Sequence, residues 1–168
     1  MEIIKKISEL QKISMDLRKQ GKTIGLVPTM GYFHEGHLSL MKIAKEHSDV
    51  VMTSLFVNPT QFAPNEDFET YPRDLERDRK LAEKAGTDYL FNPEVGEMYP
   101  PDFGLEVHVK SVTEKFEGMV RPAHFNGVAT VVAKLFNAAI PDIAVFGQKD
   151  YQQALVIKKL VSDLNFGI

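Results

Sequence analysis

The sequence predicts an α/β domain, a parallel sheet with helices on both faces. Three observations predict it. Strand-like apolar runs alternate with helix-period segments from one end of the chain to the other. The run "VVMTSLFV" (50–57) is almost uniformly apolar, as a strand covered on both sides must be. The 168 residues are enough for one such domain with a sizeable core.

Taken in order, Ile3, Ile7, Leu10, Ile13 and Leu17 recur at helical spacing and predict an opening amphipathic helix that Gly21 ends. "TIGLV" (23–27) predicts the first strand, and Leu40, Ile43, Ala44 and His47 mark a helix from about Gly36 to His47. "VVMTSLFV" is the second strand. "NPTQFAPNEDF" is loop chemistry, rich in Pro and Asn. "RDLERDRKLAEKAG" predicts a charged helix closed by Gly86, with Glu76 and Lys80 spaced to pair. "DYLF" is the third strand, "PEVGEMYPPDFG" a loop and "LEVHV" a short strand outside the main sheet. Val128, Val131, Val132, Leu135, Phe136 and Ala139 form the clearest helical stripe. Strand "IAVFG" follows, then a helix carrying Ala154, Ile157, Leu160, Val161 and Leu164.

Composition narrows the function classes. A net charge of -3 gives no electrostatic case for nucleic-acid binding. With no cysteine there is no disulfide and no thiolate metal site. Charges interrupt the apolar residues of the N-terminal stretch, unlike a signal peptide. No run approaches the ~18 apolar residues of a membrane span. The expectation is a cytoplasmic protein without membrane contact.

In an open parallel sheet, ligands bind at the carboxyl ends of the strands, where the strand order reverses. Three polar segments follow strands here: "PTMGYFHEGH", "NPTQF" and "GQKD". His34 and His37 lie three apart with Gly36 between. Zinc needs three or four ligands, and the spacing is one residue short of the helical His-Glu-x-x-His pair. On the residues alone two readings stay open: a capping histidine beside a surface one, or a pair that handles phosphate at a helix N-terminus. Lys149 has the same duality. It is either a cation awaiting an anion at a helix start or a solvated partner of Asp150. Gln61 and Gln153 are neutral amides suited to hydroxyl and carboxylate groups.

Five blocks in order, "PTMGYFHEGH", "FVNPTQF", "NEDFETYPRD", "RPAHFNGVATVVAKLFN" and "FGQKDYQQ", resemble the pantothenate synthetase (pantoate–β-alanine ligase) family over nearly the whole chain. The resemblance implies a Rossmann-like domain of the HIGH-type nucleotidyl transferase superfamily. It implies a two-step reaction. ATP and pantoate, with Mg²⁺ assisting, give pantoyl adenylate and pyrophosphate; β-alanine then displaces AMP. By the family pattern, Met30, Gly31, Tyr32, Phe33, His34, Glu35, Gly36 and His37 line the ATP site. His37 is the proton donor, and His34 holds phosphates. Gly147, Gln148, Lys149 and Asp150 match an ATP-contacting block in which Lys149 meets phosphate oxygens. Gln61 and Gln153 match pantoate-binding positions, and no residue is assigned as a resident metal ligand. Asp78 is a candidate for placing Mg²⁺ or a solvated carboxylate on its charged helix. His124, in "RPAHF" where the family usually has Gly for Ala123, either faces the cavity or packs at a helix start.

The resemblance further implies a homodimer. It sets residues 1–168 as the ATP- and pantoate-binding domain, with the family's C-terminal lid domain absent from the chain and full turnover impaired. Two other functions fit parts of the pattern. Another HIGH-type nucleotidyl transferase shares HxGH without needing "NPTQF" or the Gln152–Gln153 pair, and a non-catalytic dimerisation module would need neither.

Overall fold

The computed structural model describes residues 1–63, 66, 68–110, 113, 117–121 and 123–168. Residues 64, 65 and 67 of the loop expected after the second strand, and Pro122 of "RPAHF", lie outside the described residues. The elements run β1 (Glu2–Ile4), α1 (Ile7–Lys19), β2 (Ile24–Thr29), α2 (Glu35–His47), β3 (Val50–Leu55), a 3-10 turn (Pro59–Gln61), α3 (Leu75–Lys84), β4 (Tyr89–Phe91), α4 (Val95–Met98), α5 (Glu117–Val120), α6 (His124–Ala139), β5 (Ile143–Ala144) and α7 (Tyr151–Asp163). The strands form one sheet in the order β1-β4-β3-β2-β5, with every pairing parallel. The fold is the Rossmann-like one expected.

Side-chain alternation along the strands divides the core between two faces. Ile4, Ile24, Leu26, Met52 and Phe91 point into a cluster completed by α1, α6 and α7. Val27, Val51 and Leu90 point the other way, against Phe33, Met41, Ala44 and Ala82 of the loop after β2, α2 and α3. Both faces of β2 and β3 are therefore dry, which is why their sequences are nearly unbroken apolar runs.

Four local expectations need correction. Ile3 belongs to β1, not to the first helix, and pairs with Leu90 of β4. The helical spacing of Ile3 and Ile7 is coincidental. Helix α1 starts at Ile7 because Glu97 of α4 caps it from a distance: its carboxylate accepts from the Ile7 amide (2.8 Å) and the Lys6 ammonium (2.9 Å). "PEVGEMYPPDFG" thus contains a short helix as well as loop. "LEVHV" forms no strand. The Val107 amide donates to the Thr130 hydroxyl (2.9 Å), and Val109 is buried with Phe125, Ala129 and Val156, so the segment packs along α6 instead of joining a ladder. Finally, Glu76 pairs with Arg79 (3.7 Å).

Helix α6 is buried along most of its length and runs against the 3-10 turn, α1 and α7. Gly127 permits that approach. A Cβ there would lie 2.4 Å from the Thr60 carbonyl oxygen and 2.6 Å from its carbon, both backbone atoms that cannot swing aside. A mid-helix glycine costs about 1 kcal/mol, and here it lets a helix touch the loop that follows β3. No helix among the described residues is long and apolar enough to cross a membrane.

The topology places the site. β2 has β3 on one side and β5 on the other, so the chain reverses its direction of travel across the sheet at β2. Because all three strands are parallel, the segments leaving β2, β3 and β5 emerge side by side at one edge.

Candidate active site

At that edge lies a cavity of about 520 Å³, a volume typical of small-molecule sites. The loop after β2 and the start of α2 contribute Met30, His34, Gly36 and His37. The segment after β3 contributes Asn58 and Gln61. Gly147, Gln148, Lys149 and Asp150 form a third wall, with Gln153 beside them on α7. Val128, Val131, Val132 and Leu135 of α6 supply an apolar floor. The three segments meet, as their positions after parallel strands require.

The histidines are held by the helix they open. The His34 Nδ1 accepts from the Gly36 amide at 3.0 Å, and the His37 Nδ1 accepts from the His34 amide at 3.4 Å. Two otherwise orphaned N–H groups of α2 are thereby satisfied. The rings stack obliquely with centroids 4.2 Å apart. An Nδ1 that accepts carries no proton, so each neutral ring carries its proton on Nε2, free to donate. Burial, and then the neighbouring His34, push the His37 pKa below the usual 6.5, against a smaller upward pull from Asp78. His37 is therefore a neutral donor near pH 7. Gly36 makes the arrangement possible, since a Cβ there would lie 2.8 Å from the His34 Cε1. Capping and phosphate handling are thus compatible: Nδ1 serves the helix and Nε2 is left for a ligand.

The rest of the 30–37 block does other work. Gly31, Tyr32, Phe33 and Glu35 do not line this cavity. Phe33 is 0% exposed and belongs to the core against α2 and α3. Tyr32 faces away, with the Arg77 guanidinium 4.9 Å over its ring. The reason is Asp78, which is neither a solvated carboxylate nor open to a metal. It is 1% exposed, and its two oxygens accept from the Tyr32 amide (2.6 Å) and the Phe33 amide (2.8 Å). Arg77 adds a bond to the Phe33 carbonyl at 2.8 Å. This clamp holds Tyr32 at a left-handed φ of 51°, a conformation that costs a non-glycine residue about 1 kcal/mol. It thereby turns the chain so that His34 and His37 reach the cavity.

Gln61 is held by a residue that the sequence motifs did not single out. Asn58, 1% exposed, donates to the Gln61 Oε1 (3.2 Å) and to the Gly127 carbonyl (3.1 Å). Its own oxygen accepts from the Tyr99 hydroxyl (2.8 Å) and the Thr60 hydroxyl (3.0 Å). The Gln61 NH₂ reaches the Met30 Sδ at 2.9 Å. An Asn before Pro is a helix-start signal, and that signal in "NPT" could have revealed the buried amide. The Gln61 carbonyl is bonded by the His124 Nδ1 (2.9 Å) and by Arg121 (3.3 Å), which also binds Glu66 at 2.6 and 2.7 Å. His124 is therefore not a cavity residue; it fastens the backbone beneath one.

The 147–150 turn is built differently. Gln148, Lys149 and Asp150 are exposed, and Asp150 precedes α7 without a side-chain capping bond. Among the described residues no hydrogen bond or ion pair holds the Lys149 ammonium, and none joins it to Asp150. A cation beside a helix N-terminus, with no ion-pair partner among the described residues, is placed to meet an anion. Among the described residues, no three His, Asp or Glu side chains cluster as a resident metal would require.

A family model described as Pantoate-beta-alanine ligase matches residues 2–168. Curated relatives named Pantothenate synthetase include those of Thermoanaerobacter sp. (strain X514), 62% identical, and Caldicellulosiruptor bescii, 58% identical. Both match all 168 residues of this chain, which spans 59% and 60% of their lengths. Among solved structures, pantothenate synthetase from Thermus thermophilus aligns with a TM-score of 0.93 at 49% identity. The alignment covers 99% of this chain and 59% of that one. The ligase from Francisella tularensis, complexed with beta-gamma ATP and beta-alanine, aligns at 0.93 and 44% identity, covering 99% and 64%.

Proposed function

The chain belongs to the pantoate–β-alanine ligase family, and we propose that its cavity binds ATP and pantoate for ligation to β-alanine through a pantoyl adenylate, releasing pyrophosphate and then AMP. The observation that carries this reading is the meeting of the His34 and His37 imidazoles, the Lys149 ammonium and the Gln61 and Gln153 amides in one cavity with an apolar floor. Attack of the pantoate carboxylate on the α-phosphorus gathers negative charge on phosphate oxygens. In this reading the Nε2–H groups of His34 and His37 and the Lys149 ammonium meet that charge, and stabilise it more as it grows. Gln61 and Gln153 hold the pantoate oxygens, and the floor of α6 takes its methyl groups. β-Alanine then attacks the acyl carbon of the mixed anhydride, which is already activated and needs no protein nucleophile.

The donor set does not fit a resident magnesium ion, because the Asp78 oxygens are occupied by backbone amides. Magnesium is proposed to arrive on the nucleotide's own phosphate oxygens and water. Association as a homodimer is part of the proposal, supported by exposed apolar side chains at Leu105, Met119 and Val120, and sedimentation at several concentrations reports it. The decisive experiment is calorimetric titration with pantoate and with ATP, together with an assay for AMP release. Saturable binding of both supports the reading. Binding of another nucleotidyl acceptor in place of pantoate contradicts it.

A further inference from the structure

A carboxamide presents an oxygen at one end and an NH₂ at the other, and either end of Gln61 fits the same space. The surroundings of Asn58 remove that ambiguity. One end of its amide faces the Thr60 backbone N–H at 3.4 Å, the Thr60 hydroxyl at 3.0 Å and the Tyr99 hydroxyl at 2.8 Å. The backbone N–H can only donate, so the atom facing it is the oxygen. The other end faces the Gly127 carbonyl at 3.1 Å, which can only accept, so that end is the NH₂. Its second proton goes to Gln61 at 3.2 Å, which identifies the atom there as Oε1. Gln61 is then fixed oxygen inward and NH₂ outward, beside Met30 and the cavity.

The Thr60 N–H and the Gly127 carbonyl set this polarity, and a residue outside the cavity braces the amide in it. The Tyr99 ring is wedged against Phe103 (centroids 5.1 Å) and Phe56 (6.2 Å), with the Lys134 ammonium over the Phe103 face at 4.6 Å. Its amide is tied to the Val95 carbonyl at 2.7 Å. The hydroxyl is thereby aimed at the Asn58 oxygen.

We propose that Tyr99 is a positioning residue: its hydroxyl braces Asn58, whose polarity the Thr60 N–H and the Gly127 carbonyl fix, and so steadies Gln61 with its NH₂ toward the cavity, where this subsite takes an oxygen acceptor, carboxylate or hydroxyl, and disfavours a group that can only donate. The proposal rests on the reading of Gln61 as a pantoate contact.

Tyr99→Phe removes one hydroxyl and keeps the wedge. In the ligand-free protein, the side-chain NH₂ resonances of Asn58 and Gln61 move. The pantoate Kd rises about fivefold, the effect of one neutral hydrogen bond, while the ATP Kd stays unchanged. In a Gln61→Ala background, Tyr99→Phe has no further effect on pantoate binding, because the residue it orients is gone. Thr60→Val, which removes a second hydroxyl from the same Asn58 oxygen, moves the same resonances in the same direction and provides a check should Tyr99→Phe fold poorly. Unmoved amide resonances, or an equal loss of pantoate affinity with and without Gln61, would overturn the proposal. A wild-type protein that binds no pantoate overturns the proposed function instead, and the ligand-free resonances still decide whether Tyr99 orients the two amides.

Discussion

Two walls of the cavity are built to different standards. The 28–37 turn is fastened throughout: Asp78 clamps two of its amides, Arg77 a carbonyl, and the two histidines cap the helix they open. The 147–150 turn is exposed, lacks a side-chain cap and carries its lysine without a partner among the described residues. The difference separates two tasks. Donors that stabilise charge in a transition state gain most from being held in place beforehand. On the proposed reading, a wall that meets the phosphates of a nucleotide gains from a charge that is free to reach.

Breaking the fastened wall should produce the largest change in stability. Asp78→Ala leaves the buried Phe33 amide and the half-buried Tyr32 amide without acceptors and should cost on the order of 3 kcal/mol in chemical denaturation. It should also lower nucleotide affinity, because the turn no longer aims His34 and His37. The loose wall should behave in the opposite way. Lys149→Ala should slow adenylate formation about a hundredfold, a loss of roughly 3 kcal/mol of transition-state stabilisation, while thermal unfolding moves by less than about 0.5 kcal/mol. Equal effects on stability from the two variants would erase the contrast.

Gly36→Ala sharpens the comparison within the fastened wall. The new Cβ displaces the His34 ring, an exposed and movable group, so folding survives. ATP affinity should fall about tenfold on titration, the scale of a lost charge-assisted bond. The smallest effects are those of pH. The His37 pKa is lowered on folding, so the folded state resists its charge. Stability is full above 6.5 and declines as pH falls from 6.5 through the lowered value, and His37→Gln should flatten that decline. Glu66, held by Arg121 with its pKa at about 2, behaves as a depressed carboxylate. Its contribution is present above 4.5 and lost as pH falls toward about 2, which a carboxyl NMR titration would follow.

The sequence exposed the outline of this architecture better than its joints. Apolar runs in β2 and β3 and the stripe on α6 were legible because burial on two faces, or on one helical stripe, leaves a period in the residues themselves. The convergence of the three loops was legible from strand parallelism. Ile3 misled because a short edge strand and the helix after it happened to keep helical spacing. Asp78 misled more deeply. Its neighbours in sequence are charged and solvated, and nothing local reveals that it turns inward to amides 45 and 46 residues away. Tyr99 was missed for the same reason, because Asn58, 41 residues away, becomes its neighbour only once the chain is folded, whereas the Asn-Pro signal at Asn58 was present and went unread.

The central claim is that both histidines and Lys149, from two walls of one cavity, grip the anionic tail of one nucleotide. Nitrogen NMR of the His34 and His37 Nε2 and the Lys149 Nζ during a titration with ATP tests it most directly. All three signals should move together along one binding curve. A lysine signal that stays fixed while the imidazoles saturate, or the reverse, would contradict it.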